Sequence, residues 1–400
     1  MKRLRILYHH RTQGRGAEAV HISSIVHALE EMGHSVTVLS PPGIDPLNAA
    51  NTTPVDKARV RTGGMQTVWK LVSKHLPNFL FELGEMAYNF PAYRRVRSAL
   101  AAERFDLVYE RYAFYLVAGT MAARRAGVPF VLEANEVSGI ADRARKQSYP
   151  GLCRRFEKAL FDRCTGIHTV SSKLKEMILA QGVPEAKVHV VPNAFNVSKV
   201  KGIAGRDPAL AARLGLAGKR VIGFAGWFDR WDRLDFFIDV FAQVRASHPG
   251  VALLLIGDGP VLAEARRAVG ERGVGDDVVF TGAVPRTEVL GYLNLLDIAV
   301  LPHSNDFGSP VVMFEFMALG KPVVAPRLPP IEDVHRDGDT AVLFKPLDVA
   351  QCRAAIERLL DDPGFASAVA GRAYARLTER HTWRRNAELI LAAAGLGPTA

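Results

Sequence analysis

Two successive series of short apolar runs, each run followed by a stretch of helical spacing, dominate the pattern of this chain. The first series starts at Arg5–Tyr8 and continues at 35–39, 106–109, 128–132, 166–170 and 188–191. The second occupies 220–224, 252–256, 278–281, 298–301, 322–325 and 341–344. Between the first two runs, Val20, Ile25, Val26, Leu29 and Met32 share one side of a helix that Gly33 stops. Strand, crossover helix and strand make a parallel unit, because parallel neighbours cannot be joined by a tight turn. The expected fold is therefore α/β, with two consecutive Rossmann-like, doubly wound domains. The texture loosens between Val197 and Gly218, which reads as the linker and divides the chain into residues 1–198 and 199–382. Sheets of this kind take ligands beyond the carboxyl ends of their strands, so a nucleotide or other phosphate ligand is expected in a cleft between the domains. Residues 42–64 read as a long loop, and Pro77 and Pro91 as breaks between short helices.

Four hundred residues suit two domains. With 48% hydrophobic and 23% charged residues, disordered and fibrous classes are excluded. No apolar run approaches the ~18–20 residues of a membrane-spanning helix, and the first ten residues lack the apolar core of a secretory signal. Cys153, Cys164 and Cys352 have no metal-type spacing and imply no disulfide framework. A cytoplasmic protein is expected. The net charge of +10 is uneven, with 28 Lys/Arg against 17 Asp/Glu in residues 1–200 and 23 against 24 in residues 201–400. Within the basic half, residues 65–104 interleave rings with cations. Trp69, Lys70, Lys74, Arg94, Arg95 and Arg97 are candidates for a membrane or acceptor face, the alternative being that the rings pack inward. A nucleic-acid-binding module would also use this charge but leaves the paired domains unexplained.

Individual residues carry the chemistry. Gly14 and Gly16 lie between the first strand and helix, where backbone N–H groups can meet an anion; a plain turn is the other reading. No acidic residue fills the ribose position of a dinucleotide site, which disfavours a dehydrogenase. In the second half, Ile256-Gly257-Asp258-Gly259-Pro260 ends a buried strand in a glycine turn. Ser309-Pro310-Val311 leads into an apolar helix that carries Glu315. A carboxylate there needs a partner, either the diol of a ribose or a neighbouring arginine. His9, His10, His21 and His303 are lesser candidates, and Asp337-Gly338-Asp339 reads as a turn rather than a metal site.

Taken in order, these segments resemble glycosyltransferase family 4, retaining enzymes of the GT-B fold that use nucleotide sugars. The resemblance rests on Gly33-His34-Ser35-Val36, Val170-Ser171-Ser172, Val190-Val191-Pro192-Asn193, Phe224-Ala225-Gly226, the 256–260 turn and Phe280-Thr281-Gly282. The Glu315 segment ending at Gly320-Lys321-Pro322 and the His381-Thr382-Trp383 start of a final helix complete it. It implies a nucleotide-sugar-binding second domain and an acceptor-binding first domain, onto which a helix at 383–400 crosses back. Glu315 would hold the ribose, and Ser309, Pro310 and Val311 would lie against the diphosphate. Gly16, Gly226, Trp227, Gly257, Gly259 and Gly282 would border the donor. Arg230 and Arg233 would neutralise the phosphates, displaced from a usual Lys-Gly pair that here reads Asp232-Arg233. Phe307 stands where a donor-contacting glutamate is frequent, so Asp306 is the substitute candidate. Asn135 and Glu136 stand where many members carry His-Asp; Asn135 would bind hydroxyls without shuttling a proton. No cofactor or metal is expected beyond the nucleoside diphosphate sugar itself. The acceptor is expected to be a lipid-linked or polysaccharide-precursor glycan, met at the inner face of an anionic membrane, with no nucleic acid. The resemblance leaves two alternatives, a GT-B protein that binds nucleotide sugars without turnover and a GT-B sugar-nucleotide epimerase.

Overall fold

The structure is a computed structural model that describes residues 2–12, 17–49, 77–140, 147–203 and 205–397. Two compact units emerge. The first contains the described residues up to Val191 together with the segment from Arg384, and the second is Pro192–Trp383. Strands β1 (Arg5–His9), β2 (Ser35–Leu39), β3 (Leu107–Arg111), β4 (Phe130–Ala134), β5 (Gly166–Thr169) and β6 (Val188–Val190) form the first sheet, in the order β2-β1-β3-β4-β5-β6. Strands β7 (Arg220–Trp227), β8 (Val251–Asp258), β9 (Val278–Phe280), β10 (Ile298–Val300), β11 (Val323–Pro326) and β12 (Val342–Phe344) form the second, in the order β12-β11-β10-β7-β8-β9. Every pairing in both sheets is parallel. Strand order reverses between β1 and β3 in one sheet and between β7 and β10 in the other. Those are the points where a crevice opens at the strands' carboxyl ends.

The division falls at 191/192 rather than 198/199, and Val197–Gly218 is not a free linker. Phe195, Leu210, Ala211 and Leu216 are buried in the core of the second unit, and Val197 and Val200 pack against it. The polar surroundings of these few apolar anchors hid them in the sequence. Strand β7 runs on to Trp227, so Gly226 and Trp227 belong to the strand and not to the loop after it. Pro77 caps a helix at Asn78–Ala87, and as expected the chain breaks before the next helix, at Tyr88, just ahead of Pro91. That proline lies in the first turn of the helix Asn89–Ala102, where no intrahelical N–H is required. Of the expected 42–64 loop, the described part includes a short helix at Pro46–Ala49.

The last helix, Trp383–Ala393, is laid down on the first unit. Gly166 at the start of β5 makes this possible, since a Cβ there would stand 2.6 Å from the Ala393 carbonyl oxygen. Glycine is required by close approach, not by backbone conformation.

Candidate functional site

In the second unit, the loops after β7 and β10 flank the switch point. After Trp227 the chain makes a single turn closed from both sides: the Asp229 N–H donates to Asp232 Oδ2 (2.8 Å) and the Arg230 N–H to Asp229 Oδ1 (3.1 Å). Asp232 is buried in this turn, and burial pushes its carboxyl up to about 7 against the N–H of Asp229 that favours its charge. Arg233 follows with φ +49°, the left-handed backbone at the position of the glycine in the Lys-Gly pair. Its guanidinium is committed to Asp235, with Nε 2.9 Å from Oδ1 and Nη2 2.8 Å from Oδ2. Arg230 and Arg233 line a cavity of about 310 Å³ together with Asp229, Asp235 and Glu264. Of the two candidate cations, Arg230 is therefore the better placed to meet a phosphate. His303, from the loop after β10, donates through Nδ1 to the Trp231 carbonyl oxygen (3.0 Å) and ties the two loops together.

The helix Val311–Ala318 leaves the same edge of the sheet. Its N-cap position is Pro310, no side chain caps it, and the first-turn N–H groups carry the positive end of its dipole. Ser309 is fixed just before it: Oγ accepts the Asn193 N–H (3.1 Å) and the Ser309 carbonyl accepts Asn193 Nδ2 (2.7 Å). Asn305 closes the preceding loop by accepting the Gly308 N–H at 2.5 Å, leaving Asp306 exposed and Phe307 half-buried. Glu315 is 3% exposed and accepts from Arg286 Nη2 at 2.7 Å. Burial raises its carboxyl, opposed by Arg286 and, less strongly, by Lys199. Both readings of Glu315 thus meet here. Arg286 is the partner, and it can also hold the charge that a ribose diol would use. Arg286 and Lys199 were missed in the sequence, because each is a lone cation far along the chain from the residue it serves.

The glycines divide by cause. A Cβ on Gly257 would lie 2.0 Å from the Gly226 carbonyl oxygen, and one on Gly259 2.5 Å from that of Phe228. These two are held by backbone crossing backbone. Gly226 would press on the Phe224 ring (3.0 Å), whereas Gly282 stands in open space at φ +67°. Trp227 is 61% exposed. Asp337 and Asp339 are spent on turn and surface contacts: Asp337 accepts the Leu343 N–H (2.8 Å) and pairs with Arg327 (2.5 Å), and Asp339 pairs with Arg372 (2.8 Å).

In the first unit a charged cluster occupies the carboxyl ends of β1, β3 and β4. Glu133, fully buried near the end of β4, accepts from Tyr8 Oη (3.0 Å), Asn135 Nδ2 (2.5 Å) and Arg111 Nη1. His21 Nδ1 stands 3.4 Å from the same carboxylate. Beside it, Tyr109 Oη meets His168 Nδ1 (3.1 Å), and the Tyr8 and Tyr109 rings stack at 5.0 Å. His9 is buried against Glu110 (2.5 Å), and His10 against Ser40 (2.8 Å). Glu136 is half-buried. The sequence signal for this cluster was a charged residue ending an apolar strand, at Tyr109-Glu110-Arg111 and Val131-Leu132-Glu133.

On the basic face, Arg94 and Arg97 are exposed, Arg94 lying over the Phe90 ring at 4.9 Å. Arg95 is half-buried and donates to the Ser40 carbonyl, so it braces its helix against the end of β2. Gly14, Gly16, Trp69, Lys70 and Lys74 lie outside the described residues. No helix among the described residues is long and apolar enough to cross a membrane.

Two family models match the chain, Glycosyltransferase Family 4 over residues 18–199 and Glycosyl transferases group 1 over residues 219–362. The chain is a GT-B glycosyltransferase of the family 4 type. Among relatives of this glycosyltransferase, 2-deoxystreptamine glucosyltransferase from Streptomyces kanamyceticus is 28% identical over 281 residues, 67% of this chain and 71% of the relative. A GDP-mannose-dependent alpha-(1-6)-phosphatidylinositol monomannoside mannosyltransferase from Mycolicibacterium smegmatis is 32% identical over 219 residues, 52% of this chain and 57% of the relative. The solved structure of Anabaena Alr3699/HepE in complex with UDP shares the fold, with a TM-score of 0.70 and 16% identity, covering 98% of this chain and 100% of that one.

Proposed function

We propose that this glycosyltransferase moves a sugar from a nucleoside diphosphate sugar to an acceptor hydroxyl with retention at the anomeric carbon and without a metal. The observation that carries the reading is Glu315, a buried carboxylate one turn inside the uncapped N-terminus of the helix Val311–Ala318. A nucleotide is chemically suited to that pair. Its ribose hydroxyls donate to the carboxylate, and its diphosphate meets the first-turn N–H groups at Val311 and Val312. As the sugar leaves, negative charge grows on the diphosphate, and those fixed dipoles together with Arg230 stabilise it. Front-face attack lets the departing phosphate take the acceptor's proton, so no enzymic nucleophile is needed. The UDP-bound Anabaena neighbour supports a nucleotide donor.

The test is a panel of nucleotide sugars, scored for binding and for release of nucleotide with and without acceptors. Glu315→Ala is expected to weaken ribonucleotide binding by about tenfold or more, and bare sugar phosphate far less. Equal binding of ribose and deoxyribose nucleotides by the unaltered protein would falsify the ribose assignment. Binding without turnover across the panel would instead favour a nucleotide-sugar-binding protein.

The acceptor is proposed to be lipid-linked, met by the first unit at an anionic cytoplasmic membrane face. Phe79, Leu80, Leu83 and Phe90 are exposed on consecutive helices beside Arg94 and Arg97, and the mycobacterial relative acts on a phosphatidylinositol monomannoside. Each basic residue near an anionic surface contributes about 1 kcal/mol, screened by salt. Binding to phosphatidylserine vesicles should therefore fall as salt rises, and Arg94→Glu with Arg97→Glu should release the protein. No binding at low salt would point to a soluble acceptor.

A further inference from the structure

The geometry points to Glu133 as a positioning residue that turns the Asn135 side chain so that its carbonyl oxygen, not its amide nitrogen, is offered to a hydroxyl of the acceptor substrate. The inference rests on the glycosyltransferase reading above and adds to it how the first unit would recognise what it glycosylates.

The argument starts from what Glu133 can do. It is 0% exposed, and several neighbours converge on it, among them the Tyr8 hydroxyl at 3.0 Å on Oε2, and Arg111, Asn135 (2.5 Å) and His21 (3.4 Å) on Oε1. Burial alone would discharge this carboxyl, but His21, once acid protonates it, and Arg111, at every pH, outweigh burial and hold it at about 2. At neutral pH it has no proton to give and can only accept. An amide facing it must present its NH2 group, and the planar amide then directs Oδ1 away from the carboxylate. Asn135 is half-buried, so that oxygen lies on a side chain a ligand can reach. An amide oxygen accepts a hydroxyl hydrogen bond firmly enough to orient it, yet is too weak a base to remove the proton. That suits a reaction in which the departing phosphate takes the proton.

The placement favours a ligand role over a packing role. The cluster lies at the carboxyl ends of β1, β3 and β4, beside the point where strand order reverses in the first sheet. A buried ion pair such as Glu133–Arg111 commonly adds no stability over apolar packing of the same volume. What it supplies here is a fixed charge beneath a single reachable amide.

The test follows the amide directly and then the chemistry. In Asn-selectively 15N-labelled protein, assigned with Asn135→Asp, the separation of the two Asn135 side-chain amide protons should be wider than in an ordinary amide, because the one bonded to the carboxylate is shifted downfield. Glu133→Gln should bring that separation back to the ordinary one. Glu133→Asp keeps the charge that balances Arg111 but withdraws it by one methylene, and should do the same. In turnover, using the nucleotide sugar the unaltered protein hydrolyses and myo-inositol and methyl α-D-mannoside as hydroxyl probes, both variants should raise probe KM and lower the ratio of transfer to hydrolysis by about tenfold. Folded variants that leave the Asn135 signals unchanged overturn the inference. So does a loss of hydrolysis and transfer in equal proportion. Failure of the unaltered protein to hydrolyse any donor would defeat the glycosyltransferase reading instead, and the Asn135 signals would still decide this one.

Discussion

Asp232 shows how one residue can look misplaced in a sequence and be explained by its surroundings. It stands where the family resemblance leads one to expect a phosphate-binding lysine, yet it is turned inward to accept the Asp229 N–H. Its folded pKa of about 7 lies above the ordinary value of 3.8. Its favourable contribution is therefore complete below pH 3.8 and is lost as pH rises through 7. Asp232→Asn keeps an acceptor oxygen and removes the charge. It should stabilise the protein at pH 8 by about 1–3 kcal/mol, visible as a rise in Tm of about 2–4 °C per kcal/mol, and give nothing at pH 3.5. A melting curve unchanged at pH 8 would mean that the carboxylate is solvated after all. Arg233 has a similar history: charge and position made it a candidate diphosphate ligand, and its neighbour Asp235, two residues on, claims the guanidinium.

At the scale of elements, the strands were almost wholly legible, because an apolar run between glycine and polar punctuation has few other uses. The candidate site was legible where it depended on short-range pattern, as in Ser309-Pro310-Val311 and Glu315. It was not legible where partners come from distant elements. Nothing near Glu315 in the chain announces Arg286, and nothing near Glu133 announces Tyr8, 125 residues earlier. The seat of the last helix yields a direct prediction. Gly166→Val would place side-chain carbon within 2.6 Å of the Ala393 carbonyl oxygen, which is backbone and cannot yield cheaply. A loss of about 1–3 kcal/mol is expected, with the C-terminal helix becoming the first site of limited proteolysis. Normal stability and protease resistance would show that the helix seats elsewhere.

For the whole molecule, acid should be the sensitive direction. Burial lowers His10, His21 and His381 to about 4 and His335 to about 3, so all four are held neutral in the folded chain. Each folded value lies below the ordinary 6.5, so the stabilising contribution is complete above pH 6.5 and is lost as pH falls through 4. Glu133, also depressed, adds a further loss between 4.5 and about 2. Thermal midpoints should fall steeply between pH 6.5 and 4, by an amount on the order of several kcal/mol in all, and both units should be affected because each holds two of the histidines. A flat profile down to pH 4 would contradict the burial of these rings. The route of the chain has a consequence for its birth. Strand β5, with the groove at Gly166, is synthesised long before the segment that fills it, and the entire second unit must leave the ribosome in between. The first unit therefore waits, with an apolar face uncovered, until the final helix is made. Expressing residues up to Val191 alone would leave that wait without an end, and supplying the 384–397 segment as a separate peptide would be the way to close it.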